Sequence, residues 1–462
     1  MRKRGARHGV RRGAWGTAMS GTGPDTRSAT AARPALLLSE QPMGWPHYRI
    51  VALCFLAWIF DFYDLILYSF LMVPMAHDLH LGRLEASFAL GLSLLMTALG
   101  GLLFGFIGDR FGRRPTIIAT VLIYGFGTLL CAASLNLTHL LIFRSLTGIG
   151  IGGEWAAGQS LVAETVPPDR RARYAAYVQV GAPLGVFIAA FLAGYVTPAI
   201  GWRATFALSS LPALMVAIAV WRWLPESDVW RRRMGGGGEW LTREEFRALR
   251  PYAGIMMLLF LVIWVNSEAY WFTYSWMPGY LKLTRNLSDR AASHLMMGMQ
   301  AGAVAGYASF GLLADRFGRR PVYSAFAAMM AIGLLPPTIL WPWAAGVPGL
   351  IAGAMVLAGF GTGIWSGTGP IVSELLPTKV RNTALGLLLN VTRGLQFFTP
   401  MVIAVLSRSI GFGAALSIGA AFSAVGSMLI WLIPETRGRV LTRLDDDLVA
   451  QAAEPARLTS IS

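Results

Sequence analysis

Twelve apolar runs set the terms on which this chain can fold. They fall at roughly 50–73, 86–107, 116–134, 139–163, 174–197, 204–224, 252–273, 293–313, 322–341, 349–372, 382–406 and 413–433, and each is about the 20 residues that a helix needs to cross a bilayer core. In hydrocarbon no water satisfies a backbone N–H or C=O, so each run must bond within its own segment, and helix is the state that does so. Composition agrees: 55% of the residues are hydrophobic and only 14% are charged, far too little charge for the surface of a water-soluble domain. The expected fold class is an all-α membrane protein with twelve transmembrane helices. Twelve crossings leave both termini on one side.

A net charge of +15 invites a nucleic-acid reading, but where the charges lie decides against it. Counted by predicted side, 31 of the 39 Lys and Arg fall on one face. The other face holds six, Arg83, Arg203, Lys282, Arg285, Arg290 and Arg408, while Arg144 and Arg393 lie inside apolar runs. Such asymmetry marks the richer face as cytoplasmic. The expectation is a multi-pass protein of the cytoplasmic (inner) membrane, monomeric, with a small-molecule substrate, the lipid bilayer around it and no nucleic-acid partner. Cys54 and Cys131 both sit in apolar runs and form neither a disulfide nor a metal pattern, so no metal site is expected.

The chain also repeats itself. Gly108-Asp-Arg-Phe-Gly-Arg-Arg-Pro115 returns as Ala314-Asp-Arg-Phe-Gly-Arg-Arg-Pro321, 206 positions later. Glu164, Pro167 and Arg171 answer to Glu374, Pro377 and Arg381 at an offset of 210, and Pro225-Glu-Ser227 to Pro434-Glu-Thr436 at 209. Repetition at a near-constant offset means two similar halves. The expected organisation is a disordered basic tail over 1–45, a first bundle over 46–224, a linker over 225–250, a second bundle over 251–434 and a tail over 435–462. No apolar region follows the basic start, which argues against a cleaved signal peptide, and Met19 and Met43 are alternative starts. The linker joins Arg231, Arg232 and Arg233 to four glycines at 235–238, flexible at that point, with a short amphipathic helix expected around 239–249.

Charges inside the runs carry the chemistry. Asp61 and Asp64 lie three apart on one helical face, and a charged carboxylate facing lipid there costs about 2.5 kcal/mol or more. They must face a cavity or a partner, and of two neighbouring carboxylates in low dielectric one readily holds a proton. The fourth run reads Arg144-Ser-Leu-Thr-Gly148-Ile-Gly-Ile-Gly152-Gly-Glu154-Trp155. Its glycines suit close helix packing, and Arg144 either works in transport or pairs with Asp64 to hold the first and fourth helices together. The seventh run offers Asn266, Glu268 and the aromatic series Tyr270 to Trp276, readable as an interfacial belt or as a cover over a substrate. Gln179, Trp365, Arg393 and Gln396 complete the candidates, and an arginine in mid-bilayer wants a carboxylate from protein or substrate. Nothing resembles an ATPase loop or a nucleophile triad, so an enzyme is not expected.

The paired Gly-x-x-Asp-Arg-type loops, the arginine- and glycine-bearing fourth run with Glu164 followed by Arg170, Arg171 and Arg173, and the Pro-Glu-Ser and Pro-Glu-Thr-Arg-Gly ends resemble the major facilitator superfamily over about residues 50–440. Asp61-x-x-Asp64 together with Gly152-Gly-Glu-Trp155 looks like its metabolite:proton symporters, the sialate, lactate and aromatic-acid carriers, while the Pro-Glu-Thr-Arg-Gly end also resembles sugar porters. The Gly181-Ala-Pro183-Leu-Gly185 stretch matches the proton-antiporter signature only in part. The resemblance implies two pseudo-symmetric six-helix bundles, with helices 1, 4, 7 and 10 lining a central cavity, and a cytoplasmic gate of Asp109, Arg110, Arg113, Arg114, Glu164 and Arg171 with a second latch of Asp315, Arg316, Arg319, Arg320, Glu374 and Arg381. The function expected is secondary active transport by alternating access: proton-coupled uptake of a small organic anion, with Asp61 or Asp64 carrying the proton, Arg144 or Arg393 holding a substrate carboxylate, and no cofactor beyond the coupling proton. The alternatives are a sugar or neutral-metabolite symporter, a proton-antiport exporter, and an uncoupled facilitator or sensor.

Overall fold

The computed structural model of the chain describes residues 37–168, 170–234, 249–376 and 378–437, and no strand occurs among them. The first half contains α1 (Trp45–Asp78), α2 (Arg83–Phe111), α3 (Arg113–Ala132), α4 (Leu137–Thr165), a fifth span in pieces, α5 (Arg171–Gln179), α6 (Gly181–Phe191) and a π-helical turn at Leu192–Val196, and α7 (Thr197–Trp223). After a short α8 (Asp228–Met234), the second half runs through α9 (Ala253–Leu283), α10 (Asp289–Phe317), α11 (Arg319–Leu334) and a short α12 (Trp341–Ala344). Its tenth span is α13 (Leu350–Gly361) plus α14 (Ile364–Leu375), its eleventh is α15 (Thr378–Leu395) plus α16 (Thr399–Ser409), and its twelfth is α17 (Phe412–Leu429).

Eight stretches among the described residues are long and apolar enough to span a membrane. One of them, Arg173–Trp223, is 51 residues long, roughly 76 Å of helix and so enough for two crossings. Gly201, at φ 79°, makes the turn between them, a backbone state that glycine adopts without penalty. With α4, α10 and α11, which are less apolar or shorter, the twelve crossings read from the sequence are complete.

The halves repeat in packing as well as in sequence. In the first, the backbones of α2 and α4 approach so closely that a Cβ on Gly100, Gly148 or Gly152 would run into a carbonyl of the neighbouring helix. In the second, Gly302, Gly306 and Gly359 bring α10 and α13 together in the same way. Small residues are what permit such approach where no hydrophobic effect drives helices together. Large apolar side chains such as Leu103, Met215 and Leu312 point outward, the arrangement expected of a lipid-facing surface.

One expectation needs correction, and one open alternative is decided. Residues 1–36 lie outside the described residues, but 37–44 are ordered rather than disordered: a 3-10 turn at Leu38–Glu40 is tied down by His47, whose Nδ1 accepts from the Gly44 amide (3.0 Å) while Nε2 bonds the Leu38 carbonyl (2.9 Å). Leu38 and Met43 gain apolar contacts there. The helix expected around 239–249 falls almost wholly outside the described residues; the linker helix that is described, α8, precedes it. Finally, Tyr270, Trp271, Phe272, Tyr274 and Trp276 are buried, which a belt at the lipid interface would not be. They pack inside because their helix sits between both halves: Trp276 Nε1 donates to Ser87 Oγ of α2 (3.0 Å).

Candidate functional site

Two networks at the basic face occupy the repeated stretches. In the first, Arg113 binds Asp109 (2.5 Å) and Glu164 (2.9 Å), while Glu226 accepts from the backbone amides of Arg113 (3.0 Å) and Arg114 (3.2 Å). In the second, Arg319 binds Asp315 (2.6 Å) and Glu374 (3.0 Å), and Glu435 accepts from the amides of Arg319 (2.9 Å) and Arg320 (3.0 Å). The exposed N–H groups of a helix start attract a carboxylate. That role falls to Glu226 and Glu435, and the 209-residue offset of the Pro-Glu pairs was the signal for it. Arg114 and Arg320 each donate to a carbonyl of the last span of their own half, at Trp221 and Ile433. Arg110 and Arg316 lie over Phe111 and Phe317, Arg171 faces Glu164 electrostatically, and the side chain of Arg381 is outside the described residues. Asp109 bonds Arg113, four residues on, and Arg113 makes the connection to Glu164.

Glu435 shows the electrostatics of such a cap. Burial raises its carboxyl, yet the amides of Arg319, Arg320, Arg437 and Thr436 outweigh that and hold it below the usual carboxylate range. Trp230 of α8 donates to the Asp109 carbonyl (2.8 Å), so the linker is seated on the first network.

The halves also touch at the opposite face. Besides Trp276 with Ser87, Tyr195 bonds His294, Arg83 lies 5.2 Å over Phe412, Phe88 meets Phe397 at 5.6 Å, and Gly194 packs on Ser293. Each of these pairs joins the first half to the second.

Between these faces lie the buried charges. Asp64 is 2% exposed and Arg144 0%; their Oδ2 and Nη1 are 3.8 Å apart. Thr128 donates to Asp64 Oδ1 (2.5 Å), Arg144 Nε donates to Ser93 Oγ (3.0 Å), and the guanidinium lies 4.9 Å over the Tyr68 ring. Every partner belongs to the first half, so the ion pair of the first and fourth helices is present. Asp61 and Glu154, each 1% exposed, are held differently. They repel one another, and both are attracted by Arg393 of the second half. Asp61 Oδ1 and Glu154 Oε2 are buried with no hydrogen-bond partner. Arg393 is only partly buried and lies 5.0 Å over Trp155.

The remaining candidates cluster where spans are interrupted. Gln179 ends α5 and accepts from Gln159 Nε2 (3.4 Å). Trp365 follows the break between α13 and α14, its ring 6.2 Å from Tyr270. Arg393 is in the last turn of α15 and Gln396 in the break after it, with a buried Oε1 lacking a partner. Broken helices expose backbone groups at mid-membrane, where transporters place their binding sites. A cation in the last turn of a helix also complements its dipole. Glu268 accepts from Thr399 Oγ1 (2.6 Å), the residue that restarts the eleventh span, and Asn266 is buried two residues earlier. Sequence reasoning missed Thr128, Ser93 and Thr399, for which lone hydroxyls gave no signal, and Trp155, which stood beside a candidate. The groove lined by Leu287, His294, Trp341 and Val347 touches none of these groups.

A family model described as Major Facilitator Superfamily matches residues 53–310 and 259–455. The chain belongs to this superfamily. It is 30% identical over 398 residues to a protein named as a metabolite transport protein in Haemophilus influenzae, covering 82% of this chain and 94% of that one. It is 29% identical over 392 residues to the cis,cis-muconate transport protein of Acinetobacter baylyi, covering 82% and 93%. The crystal structure of a D-xylose-proton symporter superposes with a TM-score of 0.69 at 20% identity, covering 85% of this chain and 99% of that one, which fixes the fold as twelve helices in two six-helix bundles. The superfamily chain is thus a multi-pass membrane transporter and not an enzyme.

Proposed function

We propose that this transporter takes up a small organic anion together with protons, by rocking its two halves about the buried charge cluster. The observation that carries the reading is Arg393: a partly exposed guanidinium of the second half whose electrostatic partners, Asp61 and Glu154, belong to the first. Asp61, Asp64 and Glu154 stand against Arg144 and Arg393, three carboxylates to two guanidinium groups. One proton neutralises the cluster, and an anion admitted beside Arg393 calls for another. Protonating Asp61 weakens the first half's hold on Arg393 and lets it grip a substrate carboxylate through its planar fork. Proton and anion then favour each other's binding, and by linkage the effect is reciprocal. A relative named for cis,cis-muconate, a dicarboxylate, supports the substrate class.

In this reading Asp61 or Asp64 is the proton carrier, Glu154, Glu268, Asn266, Gln179, Trp365 and Gln396 shape the site, and the repeated networks brace the cytoplasmic ends of the bundles. The contacts across the opposite face support an inward-facing state, with both termini cytoplasmic in the inner membrane. The test is uptake of carboxylates into proteoliposomes under an imposed pH gradient. Accumulation that collapses with the gradient is expected; proton release on substrate influx would mean exchange, and flux without proton movement would mean a facilitator.

A second reading has one observation in its favour. Arg393 already faces two carboxylates of the protein and needs none from a substrate, which suits a sugar or other neutral metabolite. Arg393→Lys separates the two: a rise in KM for an anion supports the first, and an unchanged KM the second.

A further inference from the structure

At the contact between Arg393 and Trp155 the halves meet within the charge cluster through side chains that are not fully buried. Trp155 follows Glu154 on α4, and its ring also neighbours Trp58 of α1, with centroids 6.2 Å apart. Its Nε1 is buried without a hydrogen-bond partner. With Cζ 5.0 Å from the ring centroid, the guanidinium gains from the ring's negative face through a contact that does not itself use its N–H groups. Those are the groups that bind a carboxylate bidentately. The unpartnered indole N–H of that ring is one further donor at little conformational cost, because the ring is already packed on Trp58.

We infer that Trp155 is the positioning residue that presents Arg393 to the substrate: its ring holds the guanidinium across the seam, and its N–H supplies one further donor. This rests on the reading that Arg393 binds a substrate carboxylate. It adds a specificity determinant on the opposite half, so that the carboxylate site is complete only while the halves are together at this level. A motion that parted the halves at this level would part ring from guanidinium and dismantle the site. Because the ring lies on the half that carries Asp61 and Glu154, it also steadies Arg393 once protonation of Asp61 weakens that half's hold on it.

The experiment uses the full chain in proteoliposomes, with benzoate and cis,cis-muconate as probes, and Trp155→Leu and Trp155→Phe as variants. Trp155→Leu should raise KM roughly three- to thirty-fold while the saturated rate stays within about two-fold. Trp155→Phe, which keeps a ring without the N–H, should recover part of that loss. Melting of the substrate-free protein should show non-additive losses for Trp155→Leu and Arg393→Met, since each removes the same contact. A wild-type KM in Trp155→Leu overturns the proposal. So does a fall in rate and melting temperature with no change in KM and no rescue by Phe, which would mark a packing role alone. If the wild type takes up neither probe, the anion reading falls instead, and additive melting losses in the same cycle would then overturn the role of Trp155 separately.

Discussion

Two arginines inside apolar spans are held in opposite ways. Arg144 is enclosed by its own half: Asp64, Ser93 and Tyr68 surround it, and none of its surface is exposed. Arg393 sits at the seam, partly exposed, with its ring partner and its carboxylates all on the other half. The difference teaches that burial of a charge by itself does not mark a moving part. A pair closed within one rigid bundle persists when the bundles rock, whereas one that spans the seam must change partners. The first arrangement holds the bundle and sets the electrostatic background; the second can report the state of one half to the other.

The largest effect expected is loss of function. At least one of Asp61→Asn and Asp64→Asn should abolish uphill accumulation while substrate exchange survives, measured as counterflow in proteoliposomes; full accumulation in both would remove the proton-carrier role. The location of the surviving activity sharpens the comparison, because a defect confined to Asp61 would place coupling at the seam and one confined to Asp64 within the closed pair.

Next comes the closed pair itself. Arg144→Met leaves Asp64 buried without its counter-charge, at a cost of about 3–5 kcal/mol. The melting temperature should fall steeply, and adding Asp64→Asn should restore much of it. Equal melting of the single and double variants would break the claim that this pair is structural. Arg393→Lys should be milder for stability and more selective for transport. A KM for an anion about ten-fold higher, equivalent to about 1.4 kcal/mol, is expected from losing the planar fork.

Smaller effects belong to the repeated networks, which the comparison treats as braces. Gly318 has φ 102° and a Cβ there would stand 3.0 Å from Glu435 Oε2, so Gly318→Ala should cost about 1–3 kcal/mol in melting with the KM unchanged. The smallest is the pH response of Glu435. Its folded-state carboxyl is held below its ordinary value of 4.5, so its stabilisation is present above that value and is lost as pH falls through the depressed one. The melting difference between wild type and Glu435→Gln should therefore shrink on acidification below about pH 4.5; a difference that grows would reverse the assignment.

Much of this was legible beforehand. Apolar runs of bilayer length announced the spans, and the returning Asp-Arg-Phe-Gly-Arg-Arg-Pro stretch announced two halves. Asp61, Asp64, Arg144, Glu154 and Arg393 stood out because a charge in an apolar run is costly and so requires a reason. What stayed hidden was pairing. Spacing along a helix shows that Asp61 and Asp64 share a face, but not that one turns to Thr128 and Arg144 while the other faces an arginine some 330 residues away. The aromatic series after Glu268 was ambiguous for the same reason, since amphipathic rings suit a lipid interface and an interior seam alike.

The sequence by itself determined the number of crossings, their state as helix, the two-fold repetition and the inventory of buried charge, because each follows from the penalty of exposing a polar group to hydrocarbon, which acts locally. Tertiary structure alone decided which charges pair within a half and which across it, and where Trp155 lies. Those outcomes depend on the approach of helices far apart in the chain, and an ion pair is stabilised by a distance in space that no spacing in sequence encodes.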